Sequence, residues 1–312
     1  MRIKDKLKIL LPALPVLLSM ALFLAFPARY TESVREGVSL WAVAVLPATF
    51  PFLFLTALFT KLKLYRGFSR AVSPLAGKLF RVSGAGGCAA VLSALSGYPV
   101  GARTVYDLKR LGLIREEEVF RLSCLSTTTG PMFLVGAVGA GMYKCSAAGW
   151  VLLASHLAAV WLTCFVLRFT GKRASLSPPT LPKGKLDIYE ILMGSVLSVL
   201  CVGGSIALFY AFGQMLSDIG AFAHITDMPM LEGVLRGLLE MTSGCSLLAR
   251  EFSPLSLALS CFLVTFGGAC VLMQQLVYLS GAGVKVLPFL FMKCVQGVLA
   301  ALISYALAFF IF

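Results

Sequence analysis

Charge is scarce in this chain. Of 312 residues only 13% are Asp, Glu, Lys or Arg, and histidine occurs twice. That is too little polar surface to clothe a soluble domain. Also missing are a GxxxxGK[ST] phosphate loop, a GxSxG nucleophile elbow, an HExxH helix and any paired acidic metal motif, which argues against an ATP-driven pump and against a protease. No enzyme activity is expected. The nine cysteines form no CxxC pair and have no histidine beside them, so zinc and disulfide frameworks both fit poorly. They read as small buried hydrophobes.

What remains is apolar. Hydrophobic residues make up 59% of the chain and the mean hydropathy is +0.90, which is the composition of an integral membrane protein. At roughly 20 residues per crossing there is room for about eight to ten membrane elements. The net charge of +13 then encodes orientation rather than nucleic-acid binding, and no nucleic-acid partner is expected. The lipid bilayer and a small-molecule solute are the expected partners. Nothing in the chain sets the oligomeric state.

Residues 1–30 carry Arg2, Lys4, Lys6 and Lys8, then an apolar run from Ile9 to Phe26. A signal peptide has that order too, but the run is long for one and Phe26-Pro27-Ala28 is a weak cleavage site, so a retained N-terminal membrane helix is favoured. Further apolar runs lie at about 38–60, 84–96, 119–142, 146–169, 188–216, 231–249, 254–279 and 286–311. Two of them cannot span. Residues 84–96 are short, rich in small side chains, and end at Ser96-Gly97-Tyr98-Pro99. The run 231–249 carries Glu232, Arg236 and Glu240 and is expected to break at Thr242-Ser243-Gly244. Both read as re-entrant hairpins. With the N-terminus cytoplasmic, this threading places the basic segments 2–8, 61–81, 103–121 and 168–185 on the inner side, as the positive-inside rule requires. A bacterial inner-membrane location with many passes follows.

Leu122-Ser123-Cys124, Thr128 and Gly130 recur at the same spacing as Leu259-Ser260-Cys261, Thr265 and Gly267, each set following a Ser-Gly break. The chain thus divides into an N-terminal helix (1–30), a first repeat (38–170), a cytoplasmic loop (171–187) and a second, inverted repeat (188–312). The fold class is an all-α polytopic membrane protein in which each repeat holds a re-entrant hairpin and a broken helix. Paired hairpins and interrupted helices in inverted halves are the pattern of secondary transporters, whose site lies near the midplane.

The chemistry-bearing candidates gather at those breaks. Ser126-Thr127-Thr128-Thr129-Gly130-Pro131 lies within an apolar helix where Pro131 leaves carbonyls unpaired, so Thr127, Thr128, Thr129 and Gly130 are candidates to hold an ion or solute. A simple kink, its hydroxyls bonded back to their own helix, is the alternative. Thr265 and Gly267 form the counterpart, with helix packing as the rival reading. Ser96 and Gly97 mark one hairpin, and Glu240, Thr242, Ser243 and Gly244 the other. Glu240 in an apolar arm is costly unless paired or hydrated. It is the leading candidate for solute or coupling-ion contact, unless Arg236 pairs with it. Lys293 is expected to snorkel to the cytoplasmic face, His156 to make a helix-to-helix hydrogen bond, and Glu116-Glu117-Glu118 to form a solvated helix cap. No metal site is assigned, and no cofactor is expected other than a coupling cation of unassigned identity.

The runs Ser93-Ala94-Leu95-Ser96-Gly97-Tyr98-Pro99-Val100-Gly101-Ala102-Arg103 and Ser126-Thr127-Thr128-Thr129-Gly130-Pro131-Met132-Phe133-Leu134-Val135-Gly136-Ala137-Val138-Gly139, together with Leu239-Glu240-Met241-Thr242-Ser243-Gly244, resemble the YlbJ-type sporulation integral membrane proteins of the nucleoside-recognition Gate-domain group. The likeness covers about residues 46–307. It implies similarity to concentrative nucleoside transporters and to the membrane part of ferrous-iron transporters, and leaves the substrate unassigned. The expected function is a permease for a small, nucleoside-like solute serving sporulation. The rivals are a non-transporting component of spore envelope formation and a metal-ion permease using Cys124, Cys245 and Cys261.

Overall fold

A computed structural model describes residues 3–62, 64–170, 187–223 and 227–312, with the side chains of residues 3–12, 60, 61 and 66 left undescribed. The loop expected at 171–187 therefore lies, apart from Asp187, outside the described residues. Every regular element among those described is helical. Five helices are long and apolar enough to cross a bilayer: α2 (Pro27–Phe59), α8 (Ser146–Leu167), α9 (Ile188–Asp218), a broken helix over Pro254–Gly281, and α14 (Val286–Ile311). The chain is a multi-pass membrane protein.

Polarity is distributed as lipid demands. Leu197, Leu302, Phe309 and Phe310 are among the most exposed side chains, whereas His156, Gln275, Gln296 and Lys293 are completely buried. In hydrocarbon an apolar exterior costs nothing, and polar groups are tolerated only where other protein groups pair with them.

Helix α1 (Ile3–Ala25) stops before Pro27, which opens α2. The span expected at 38–60 thus begins eleven residues earlier, and α1 ends short of residue 30. A basic, amphipathic α3 (Leu64–Phe80) follows, bent by 92° from α4 (Gly84–Ser96). Then come α5 (Val100–Arg110), α6 (Glu116–Leu125), a wide-turned π-helical α7 (Met132–Met142), and α8. The second half contains α9, α10 (Pro229–Leu239), α11 (Met241–Leu248), α12 (Pro254–Phe266), α13 (Gly268–Gly281) and α14. Each half thus reads as span, hairpin, broken helix, span, with α3 as an additional element in the first.

The leading spans of the two halves run antiparallel. Tyr30 donates to Asp218 at 2.9 Å and Arg29 pairs with the same carboxylate. Further along, a Cβ on Gly37 would lie 2.8 Å from Ala207 Cα, and one on Gly203 would lie 2.6 Å from the Trp41 ring. Residue numbers rise along α2 as they fall along α9. The glycines at these crossings are what allow so close an approach.

The hairpins have different tips. Between α4 and α5 the chain turns through Gly97 (φ +78°) and a cis Tyr98–Pro99 peptide. Between α10 and α11 it turns at Glu240, not at Thr242-Ser243-Gly244. Glu240 has an extended backbone, and its carboxylate accepts from the N–H groups of Thr242 (2.9 Å) and Ser243 (2.7 Å). A side chain that caps the new helix sets its start. The three following residues then form the first turn of α11, and Gly244 packs against Gly237 across the hairpin.

The acidic run also departs from a solvated cap. Glu116 and Glu117 are exposed, but Glu118 is buried, accepting from Arg115 N–H (3.0 Å) and Ser83 N–H (2.6 Å). It joins the start of α6 to the start of α4.

Candidate functional site

Two breaks meet at the centre. In the first, α6 ends at Leu125 and residues 126–130 are unwound before the helical turn resumes at Pro131 and α7. A helix end leaves carbonyls without backbone donors, and side chains supply the donors here. Thr127 Oγ1 donates to Ser123 O (2.8 Å), Gln296 Nε2 to Cys124 O (3.2 Å), Ser93 Oγ to Ser126 O (2.5 Å), and Lys293 Nζ to Thr127 O (2.9 Å). The kink reading and the site reading are thus both partly realised: Thr127 bonds back to its own helix, while the carbonyls are held from α4 and α14. Lys293 does not snorkel. It is fully buried, and Val286–Lys293 is two turns of helix, which carries its ammonium toward the centre.

The second break is made by glycine. Gly267 (φ +102°) and Gly268 (φ +64°) separate α12 from α13. A Cβ on Gly268 would lie 2.6 Å from the Gly237 carbonyl oxygen, so the second hairpin rests directly on this break. The first hairpin rests on the first break in the same way. A Cβ on Gly97 would lie 2.7 Å from Gly130 N, and one on Gly101 would overlap the Ser126 carbonyl oxygen and the Ser93 hydroxyl.

Three side chains tie the breaks together. His156 accepts from Thr129 N–H at Nε2 (3.0 Å) and sits 2.9 Å from Thr265 Oγ1 at Nδ1. The expected helix-to-helix hydrogen bond is therefore doubled. Thr129 Oγ1 donates to Val264 O at 2.6 Å. Tyr98, from the first hairpin tip, directs its hydroxyl at Val264 O and Thr265 O, both 3.3 Å away.

Around this knot lies a small cavity of about 40 Å³. It is lined by Gly97 and Tyr98 of the first tip, Thr129 and Gly130 of the first break, Glu240 and Thr242 of the second tip, and Gln274 beyond the second break. Val45 and Thr49 of α2 and Val202 and Ile206 of α9 close its side. On this scale the space holds about one to three waters. A larger hollow of about 770 Å³ opens beyond Glu240, lined by Glu32, Arg35, Tyr210, Glu232, Arg236 and Arg250. Another, of about 450 Å³, opens beside the first hairpin, lined by Thr56, Arg103, Asp107, Arg110, Glu190 and Ser198. The order along the spans is the same for both: residues 32–43, 45–49 and 53–57 of α2, and 209–214, 202–206 and 190–198 of α9, face the large hollow, the cavity and the smaller hollow in turn. Two larger vestibules therefore flank one small chamber.

Among the residues expected from sequence, Gly97, Thr129, Gly130, Glu240 and Thr242 line the chamber. Thr127, Thr128 and Thr265 stand behind it in the hydrogen-bond network, Thr128 against Ser93 at 3.1 Å. Ser96 bonds Thr56 at the edge of the smaller vestibule, and Ser243 faces the large one. Gly244 belongs to hairpin packing, and Gly267 makes the break itself. The pairing of Arg236 with Glu240 is not found. Arg236 binds Glu232 (2.7 Å) and Ser217 (2.9 Å) and lies over the Phe222 ring. Ser93 and Tyr98 were not singled out in the sequence; Gln274 and Gln275 read there as adjacent amides after the second break, of which at most one was expected to point inward, and the structure buries both. Gln275 follows the Gly-Gly pair by two turns, a spacing that returns its side chain to the break. Its amide is fully buried with neither end hydrogen-bonded at 3.5 Å, and Thr242 Oγ1 is likewise unpartnered.

Among the described residues no three His, Cys, Asp or Glu side chains form a group able to hold a metal. Cys124 packs in a different apolar cluster from Cys245 and Cys261.

No family model matches the chain, and no solved structure does. Among curated proteins, the sporulation integral membrane protein YlbJ of Bacillus subtilis (strain 168) is 26% identical over 339 residues, an alignment covering 95% of this chain and 82% of that protein. A likeness of this extent supports the assignment, first suggested by the motifs around Gly97 and Gly130, to the YlbJ-type integral membrane proteins.

Proposed function

We propose that this protein is a secondary transporter or permease for a small solute of nucleoside type, acting in sporulation. One observation carries the reading: two vestibules toward opposite ends of α2 and α9 flank a chamber where both hairpin tips and the first helix break meet. Antiparallel leading spans and the repeated element order support inverted repeats, and in such folds the solute binds between the repeats near the midplane. The chamber is far smaller than either vestibule. Hydrogen-bonding groups that lack partners in it, Thr242 Oγ1 and nearby Gln275, suit an uncharged polar ligand, because an orphaned buried polar group is costly unless something binds it. Separation of the hairpin tips would enlarge the chamber, and rocking of one repeat on the other would open it to one vestibule at a time.

The test is uptake of radiolabelled nucleosides by proteoliposomes containing the purified protein, alongside thermal shift against nucleosides and divalent metals. Saturable uptake of one nucleoside class is expected. Absence of both uptake and thermal shift across the panel would overturn the transport reading. In that case a non-transporting role in spore envelope formation stands, favoured by the relative's name and by a chamber sized for water. Orientation is tested by cysteines placed at Gly220 and Gly112. External labelling is expected at the first only, and the reverse would invert the topology.

A further inference from the structure

Half-helix C-termini and unwound carbonyls are where a broken-helix transporter holds its coupling cation. At the first break that place is taken. The end of α6 presents its negative dipole end, and the Thr127 carbonyl points at Lys293 Nζ, 2.9 Å away. Tyr98 supplies a second oxygen at 3.3 Å. Because the Tyr98 proton is directed at Val264 O and Thr265 O, its lone pair is free to accept, and its ring face lies 5.5 Å from the same nitrogen. Both polar groups within hydrogen-bond reach of Nζ can therefore accept from it, and the Tyr98 ring face suits a cation. The ammonium is fully buried, and no ion pair among the described residues includes it. A buried charge without a counter-ion must be held by dipoles, as a bound metal cation would be.

We infer that Lys293 is a tethered cation, standing permanently at the first break in the position a coupling Na⁺ or K⁺ would occupy, so that this protein has no use for either. The ammonium contributes what such an ion contributes. It neutralises the carbonyls of the unwound segment and, through Thr127 and Tyr98, holds the first break against the first hairpin tip. Being covalent, it cannot leave with the solute. Resting on the transport reading, the consequence is that solute uptake proceeds equally in sodium and choline media.

The test does not require a known solute. Thermal stability of the purified full-length protein in detergent is measured in NaCl, KCl, methylammonium chloride and choline chloride at equal ionic strength, for wild type and for Lys293→Ala. Wild type is expected to melt at the same temperature in all four. Lys293→Ala is expected to melt about 5–10 °C lower in choline and to regain at least half of that fall in methylammonium or Na⁺, which can enter the space the side chain leaves. Stabilisation of wild type by Na⁺ over choline overturns the inference, as does failure of every small cation to recover the Ala variant. If Lys293→Ala does not accumulate, Lys293→Met decides, since it fills the space without charge. Less than half the wild-type membrane level is expected, and wild-type abundance and stability would overturn the inference. A negative uptake experiment leaves these readouts intact, and Na⁺ dependence in wild type would sink the tethered cation while leaving transport standing.

Discussion

The two helix breaks solve one physical problem by opposite means. At the first, five residues between Leu125 and Pro131 are unwound, and a lysine, a glutamine and a serine from other helices cap the exposed carbonyls. At the second, two glycines make the turn in place, and the Val264 and Thr265 carbonyls face only neutral hydroxyls from Tyr98 and Thr129. The first break is cross-linked to α4 and α14 by hydroxyl, ammonium and amide donors and to α8 through His156, which accepts from Thr129 N–H. The second has positive φ angles that favour glycine, and beside it stand Gln275 and the Thr242 hydroxyl without partners. A break held from three helices has less freedom to rearrange than one made by glycine with spare polar groups beside it. On the proposed transport reading, the first half of the chamber is the anchor and the second the part that responds.

The largest effect expected from that difference is at Gly101. Its added Cβ would meet backbone and a short hydroxyl, neither of which can swing away, so Gly101→Ala should cost about 3 kcal/mol and abolish monodisperse protein in detergent. A well-folded Gly101→Ala protein would show that the first break is not the anchor.

His156 comes next. Leucine there leaves the Thr129 N–H buried without an acceptor and uncouples Thr265, so His156→Leu should destabilise by about 2 kcal/mol, read as a lowered melting temperature. His156→Gln, which can still accept, should recover part of that loss. No difference between Leu and Gln would mean that His156 does not join the breaks.

Glu240 sits at the boundary between the chamber and the large vestibule. Glu240→Gln keeps one acceptor for two backbone N–H groups and should cost about 1 kcal/mol. Because Arg236 is already satisfied by Glu232, the loss should simply add to that of Arg236→Gln in the double variant. Recovery of stability in that double variant would restore the direct Glu240–Arg236 pairing.

The smallest stability effect belongs to the second half's orphan group. Thr242→Val removes a hydroxyl with no partner, so its stability should stay within about 0.5 kcal/mol of wild type, while nucleoside uptake falls about tenfold, the worth of one hydrogen bond to a ligand. Unchanged uptake would remove Thr242 from the binding surface and weaken the idea of a responsive half.

Local rules explain most of what could be read without a structure. Spans at 146–169, 188–216 and 286–311 follow from uninterrupted apolar runs, because hydrocarbon leaves a helix no alternative. Both breaks were legible too, since Pro131 and the Gly267-Gly268 pair disrupt a helix by their own covalent geometry. The second hairpin tip was misplaced by two residues because Thr242-Ser243-Gly244 looks like a turn, while the actual stop is a capping carboxylate whose effect depends on where its oxygens reach. Glu118 escaped notice for the same reason: two of the three glutamates in that run do face outward, and sequence gives no sign of which one is buried.

By itself, the sequence determined that this is a multi-pass membrane protein, where three of its spans run, and where two of its helices break. These follow from composition and backbone chemistry acting over a few residues at a time. Only the tertiary structure decided that the two hairpin tips share a chamber, that Glu240 caps its own helix while Arg236 turns to Glu232, and that Lys293 points inward to the Thr127 carbonyl. Lys293 and Thr127 are 166 residues apart. Whether a lysine snorkels or is buried depends on which acceptors packing brings within 3 Å of its nitrogen, and no local pattern encodes that.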